Sequence, residues 1–171
     1  MNEAIVLHSI RAVKDWRRLM GATPVIWTNG CFDLFHLGHV SFLNDAKQAD
    51  EYGAGALVVG VNSDESVARI KGPGRPVLPL IHRVHLVASH RAVDAVVPFS
   101  GDEPLKYIEA AEPDWVVKDE SYRGKVVVGA GLARRGVRYA RFHRIADIGS
   151  TTDIIKRIKE LEACRQKTTN P

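Results

Sequence analysis

Apolar residues recur at Ile10, Val13, Trp16, Leu19 and Met20, the three- and four-residue spacing of a helix, and Gly21 supplies a stop. Val25-Ile26-Trp27 is a short apolar run that predicts a buried strand leading straight into Thr28-Asn29-Gly30. Helical spacing returns from Leu37, with Val40, Leu43 and Ala46 on one face and Gly53 as the C-terminal glycine. Ala56–Val61 predicts a fully buried strand, and Asn62-Ser63-Asp64 can cap a short helix after it. Lys71–Pro76 is a loop by composition. Then come a helix over Leu80–Ser89, a strand over Val93–Val97, a helix over Glu103–Ala111 and a strand over Trp115–Val117. Tyr122–Arg135 supports two readings, because Val126-Val127-Val128 favours a strand and the alanines and arginines after it favour a helix. Val137–Phe142 alternates as a last strand. Ser150 with Asp153 three residues on opens a final helix with Ile154, Ile155, Ile158 and Leu161 on one face, and the polar residues 165–171 read as a frayed end.

Strands alternating with helices predict an α/β chain: a Rossmann-like single domain over residues 1–171, with a five-stranded, mainly parallel sheet and helices on both faces. Such sheets bind ligands beyond the carboxyl ends of their strands, where strand order reverses. The segments after Trp27, Val61 and Val117 are therefore expected to hold the site.

At 171 residues, 45% hydrophobic and 26% charged, the chain has an ordinary globular composition. Its net charge of +4 suits anionic small molecules, and it shows neither the aromatic platforms nor the groove-reading helix of a nucleic-acid binder. Arg134, Arg135, Arg138, Arg141 and Arg144 read as a solvated basic face. Cys31 and Cys164 form no disulfide framework and no zinc spacing, which predicts a reducing compartment. With no apolar run as long as a membrane span and no basic leader, the expectation is a cytoplasmic protein off the membrane.

Candidate chemistry concentrates in Thr28-Asn29-Gly30-Cys31-Phe32-Asp33-Leu34-Phe35-His36-Leu37-Gly38-His39. A strand ends, a turn follows and a helix starts, so free backbone N–H groups and the helix dipole favour an anion there. His36 and His39 stand three apart and point to one side, and Gly38 lets a phosphate approach the backbone. Two imidazoles aimed at one anion can donate hydrogen bonds as charge builds in a phosphoryl-type transition state. The alternatives are two exposed histidines at a helix start, or a metal pair, which lacks a third ligand nearby. No GxxxxGK[ST] loop is present, Gly129-Ala130-Gly131 reads as structural, and His8, His82, His85, His90 and His143 are scattered.

The run TNGCFDLFHLGH resembles the HxGH nucleotidyltransferase superfamily, and the likeness extends over nearly the whole chain. VNSD (61–64), KGxxRPV (71–77), Arg83, AVDxVV (92–97), PDxxVK (113–118) and STTxIIK (150–156) resemble most the branch that adenylylates heptose 1-phosphate. The resemblance implies that His36 and His39 contact a triphosphate and stabilise the transition state, with Lys71 as a third catalytic group. It places Thr28, Asn29, Gly30, Phe32, Gly38, Lys118, Ser150, Thr151 and Thr152 around the nucleotide. Asp33, Asp64, Arg75 and Arg83 would stand on the acceptor side, the two carboxylates orienting the acceptor or assisting Mg²⁺, and no residue is assigned directly as a metal ligand. The implied reaction moves AMP from ATP to a sugar 1-phosphate, D-glycero-D-manno-heptose 1-phosphate above all, giving ADP-heptose and pyrophosphate for lipopolysaccharide core precursors. Mg²⁺ accompanies the ATP. A homo-oligomer and a separate upstream sugar kinase are implied partners.

Three positions depart from the pattern. Lys118-Asp119-Glu120-Ser121-Tyr122 replaces KGGDY where the base should sit, Ile81 replaces an acidic residue, and Ile155 stands where many superfamily members have arginine. The competing readings are a cytidylyltransferase for glycerol 3-phosphate or another polyol phosphate, and a catalytically silent nucleotide-binding module.

Overall fold

The computed structural model describes residues 4–50, 53–101, 104–140 and 149–169. Six strands, β1 (Ile5–Val6), β2 (Val25–Gly30), β3 (Ala56–Asn62), β4 (Ala95–Phe99), β5 (Trp115–Asp119) and β6 (Gly136–Ala140), form one sheet in the order β1-β4-β3-β2-β5-β6. Every pair is parallel. The helices are α1 (Ile10–Leu19), α2 (Leu37–Lys47), α3 (Asp64–Lys71), α4 (Leu80–Ala88), α5 (Leu105–Ala111) and α6 (Thr151–Thr169).

The sheet divides the core in two. Phe42, Leu43 and Ala46 of α2 and Val84, Val87 and Ala88 of α4 pack on one face against Ile26, Leu57 and Val59. Val13 and Trp16 of α1 and Ile108 and Ala111 of α5 cover the other, against Val25, Trp27 and Val58. All seven residues of β3 are buried, as a central parallel strand covered on both sides requires, and this is why its sequence is a continuous apolar run. From β2 the chain steps outward through β3 to β4, then returns to place β5 on the other side of β2. The carboxyl ends of β2 and β5 therefore flank the point where strand order reverses.

The expected alternation holds, but the sheet has six strands, not five. The extra strand is β1, whose two residues, paired with Ala95 and Val96, are too few to register as a pattern. Val126-Val127-Val128 is neither strand nor helix and leads into a short 3-10 turn at Ala130–Leu132. Lys71 is the last residue of α3, so the loop begins only at Gly72. Helix α2 stops at Lys47, well before Gly53, and Gly53 (φ +64°) instead closes a turn onto the Asp50 carbonyl. β4 begins at Ala95, after Val93, and α6 runs to Thr169 because Arg165 and Gln166 are good helix formers despite their polarity. Glu103, Arg141, Phe142 and Arg144 lie outside the described residues.

Candidate active site

Residues 31–36 join β2 to α2 and hold two non-glycine residues in the left-handed region, Phe32 (φ 49°) and Leu34 (φ 45°), a conformation costing about 1–3 kcal/mol each. Asp33 between them offsets that cost. Its wholly buried carboxylate accepts the N–H groups of Val77 (2.9 Å) and Leu78 (2.9 Å) and Arg75 Nε (2.7 Å). The hydroxyl of Thr151 donates to the Asp33 carbonyl at 2.6 Å. Burial alone would raise the Asp33 pKa, but the Leu78 and Val77 amides and the Arg75 guanidinium outweigh it and hold the carboxyl below its ordinary range. One residue thus fastens the β2–α2 loop to the 72–79 loop and to the start of α6.

His36 is the N-cap of α2, and its Nδ1 accepts the Gly38 N–H at 3.1 Å. His39 reaches back, its Nδ1 accepting the His36 N–H at 3.3 Å. The result is a capping box made of two imidazoles, with ring centroids 3.9 Å apart. Because each Nδ1 accepts from an amide, each neutral ring carries its proton on Nε2. Phe35 stacks on His39 at 5.5 Å, and the Phe32 ring lies 5.3 Å from it. Burial, then His36, pushes His39 down to about 3, with Asp33 opposing. Burial also lowers His36, and Asp153 opposes it.

Lys118, near the end of β5, is 8% exposed and donates to Asn29 Oδ1 at 2.6 Å. Burial lowers its pKa to about 8. The Tyr122 ring stands 5.8 Å from its Nζ. Ser150 accepts the Asp153 N–H at 3.2 Å and donates to that carboxylate at 2.7 Å, capping α6 beside the His36 end of α2. Two helix N-termini therefore meet in one depression, an arrangement suited to an extended polyanion.

The depression has two connected clefts. The larger, about 650 Å³, lies between β2, Lys118 and the Asp119–Tyr122 turn. The smaller, about 380 Å³, takes in His36, Arg75, Val126, Val128 and the start of α6. Asn29, Gly30, Phe32, His39, Lys71, Lys118 and Ser150 line both. Asp33, His36, Arg75, Thr151 and Thr152 line only the smaller.

Four expected residues do not line either cleft. Thr28 is fully buried below the site, and its hydroxyl has no partner among the described residues. Gly38 gives its N–H to His36. Arg83 is wholly buried and donates to the carbonyls of Leu78 (3.0 Å), Cys31 (2.6 Å) and Asn62 (2.7 Å) and to Asp64 (2.7 Å). Asp64 also accepts the Leu80 N–H at 3.3 Å, so it spends its carboxylate on the framework. Conversely, Cys31, Asn62, Ile70, Val126 and Val128 line the clefts without having been singled out for it. Among the described residues no three His, Cys, Asp or Glu side chains gather as metal ligands. Nor is any helix among them long and apolar enough to cross a membrane.

A parallel α/β sheet with paired helix ends and paired histidines at its switch point defines an anion-binding domain of the nucleotide-handling class. The chain belongs to the cytidylyltransferase-like family, whose model matches residues 27–157. It is 46% identical over 163 residues to the bifunctional protein HldE of Vibrio vulnificus, covering 92% of this chain and 31% of that protein. Against the bifunctional protein HldE of Nitratiruptor it is 45% identical over 135 residues, 79% of this chain and 28% of the other. The chain thus spans about a third of the length of these relatives. The fold also matches a pantoate-β-alanine ligase from Francisella tularensis, with a TM-score of 0.62 at 14% identity, covering 90% of this chain and 73% of the ligase.

Proposed function

We propose that this chain transfers the adenylyl group of ATP to a sugar 1-phosphate, with D-glycero-D-manno-heptose 1-phosphate as the acceptor. The observation that carries the reading is the meeting of the His36–His39 capping box with the Ser150 end of α6 and Lys118 around one depression. Family membership and the identity to HldE proteins support the choice of reaction. The sugar-phosphate motifs, KGxxRPV, PDxxVK and STTxIIK, support the choice of acceptor.

An oxygen of the acceptor phosphate attacks the α-phosphorus in line. A new P–O–P linkage forms as the bond from that phosphorus to the α,β-bridging oxygen breaks, and pyrophosphate departs. Positioning and charge stabilisation suffice, so no covalent enzyme intermediate is needed. The helix ends and Ser150 and Thr152 hold the phosphates, the imidazole Nε2–H groups of His36 and His39 stabilise the charge that builds on them, and Lys71 adds a mobile cation. Mg²⁺ fits here as the counter-ion of the triphosphate, held mainly by its oxygens, because the one buried carboxylate of the smaller cleft, Asp33, is already taken up by protein donors.

The same reading brings a sugar kinase to supply the 1-phosphate, a homo-oligomeric assembly as the resemblance implies, and a cytoplasmic location where ATP is available. Pyrophosphate release with ATP, CTP and GTP, crossed with heptose 1-phosphate and glycerol 3-phosphate, tests the proposal. ATP with heptose 1-phosphate should dominate; a clear preference for CTP with glycerol 3-phosphate would overturn it.

A further inference from the structure

Between Asp119, the last residue of β5, and Val127 the chain makes a turn that borders both clefts. Residues 121–126 are all exposed. Their hydrogen bonds among the described residues stay local. Ser121 N–H donates to Asp119 Oδ1 (3.0 Å), Arg123 N–H to the Glu120 carbonyl (3.0 Å) and Lys125 N–H to the Tyr122 carbonyl (2.9 Å). The Arg123 guanidinium also returns to Glu120, at 3.2 Å. The polar ties to the rest of the domain are cation–π contacts, Lys118 with the Tyr122 ring and Arg123 with the Tyr139 ring at 4.8 Å, which are weak at an exposed surface. Both ends of the turn are firm. Asp119 pairs with Ala140 in the sheet, Val127 is buried in the core, and a Cβ on Gly129 would stand 2.6 Å from Ile108. Gly124, in the middle at φ +81°, has open space around it. A segment with local bonds, few buried contacts and fixed ends moves as one unit of low stability.

What the turn carries decides what its movement does. Val126 is 91% exposed at the rim of the smaller cleft, more than any other large apolar side chain among the described residues. Ile70, on α3, is 50% exposed and lines the same cleft. The two stand on opposite banks, because α3 follows β3, the turn follows β5, and those strands lie on either side of β2. Bringing them together takes both from water and roofs the cleft that His36 and Thr152 line. Lys125 makes that movement conditional. Its ammonium lies 5.7 Å from the Tyr122 ring and has no carboxylate partner among the described residues. An empty cleft lined by Lys71 and Lys118 repels it, whereas a polyanion seated there attracts it, so the ligand favours the closed turn over the open one.

We infer that residues 121–126 form a flap that closes over a phosphate-bearing ligand and seats Val126 against Ile70; the inference rests on the anion-binding part of the reading above. Closed, the flap shields the reacting phosphates from water.

Amide hydrogen exchange over residues 121–126 reads closure without turnover. It is followed in the wild-type chain alone, with Mg²⁺ and a non-hydrolysable ATP analogue, with tripolyphosphate, and with heptose 1-phosphate. At least one ligand should slow exchange about tenfold or more, the scale of burying one such side chain. Val126→Ser and Ile70→Ser should each cut that protection roughly fivefold. The double variant should lose no more than either alone, since each change removes the same contact. Exchange that none of the ligands slows would overturn the inference, and so would losses that multiply in the double variant. Should Ile70→Ser fail to fold, Ile70→Thr serves in its place. Pyrophosphate release keeps the two readings apart: turnover with an unprotected flap sinks the flap alone, and protection without turnover upholds the flap and sinks the reaction.

Discussion

The Lys118 ammonium on β5 donates to Asn29 Oδ1 on β2 at 2.6 Å and also reaches the Asn29 carbonyl at 3.4 Å, bridging the two strands where sheet order reverses. Backbone pairing of these strands is described only through Ile26↔Trp115 and Trp27↔Val116, so the side chains continue the tie past the last paired residues. Asn29 in turn is confined by Gly60 on β3, where a Cβ would stand 3.0 Å from the Asn29 Cβ and 2.9 Å from the Trp27 ring. The floor of the larger cleft is thus built from strand ends in contact.

A buried lysine lowered to about 8 makes two opposite pH dependences. The unfolded chain, with lysine near 10.5, binds more protons between pH 8 and 10.5, so this group makes stability rise with pH across that window. Phosphate binding needs the protonated form, so nucleotide affinity should fall as pH rises through about 8. In Lys118→Met, the affinity for a non-hydrolysable ATP analogue should be lower at pH 7 and nearly flat from pH 7 to 9.5. Calorimetric titration checks this, and an identical pH slope in wild type and variant would refute it.

His39 predicts an acid weakness. Burial, and secondly His36, push it down to about 3, while an unfolded imidazole titrates near 6.5. Between those values the unfolded state binds the extra proton, so the unliganded protein should lose stability as pH falls from about 6.5 toward 3. A triphosphate favours the charged ring, so the ATP analogue should lessen that loss. His39→Asn should flatten the acid slope of the thermal midpoint and reduce turnover at pH 7.5 about a hundredfold or more, the usual loss for one transition-state donor. Near-normal turnover in a folded His39→Asn would remove the histidines from the mechanism.

The features legible in the sequence are those written in local pattern. The apolar run Ala56–Val61 gave the central strand because burial on both faces leaves no polar position, and the His36-Leu37-Gly38-His39 motif marked a helix start that the structure builds as a capping box. What escaped depends on long-range partners. Nothing local in Ile5-Val6 reveals that it pairs with Ala95 and Val96. Arg83 and Arg75 look alike in the chain, and only the carbonyls brought to Arg83 by two loops and the end of β3 separate framework from cleft. Val126 and Val128 resemble a strand because their apolar side chains serve a cleft wall, which has no period.

Arg83 gives the sharpest stability prediction, because its charge is entirely enclosed. Its guanidinium grips the loop after β2 at Cys31, the end of β3 at Asn62 and the 72–79 loop at Leu78, and Asp64 balances the charge. Arg83→Met fills similar volume but leaves three carbonyls and a carboxylate oxygen without this donor. Breaking such an enclosed charge network typically costs about 3–5 kcal/mol, which for a chain of this size is a fall of roughly 6–20 °C in Tm. Arg83→Lys should recover little, since one ammonium cannot span three segments with the geometry of the planar fork. Because the loop carrying His36 and both ends of the segment that carries Lys71, Asp64 at the start of α3 and Leu78 in the loop after it, lose an anchor, the ATP and acceptor KM values should rise together. Denaturant unfolding with parallel kinetics checks both parts. A loss below about 1 kcal/mol, the scale of one ordinary hydrogen bond, would mean that the two loops and the end of β3 hold their positions without Arg83.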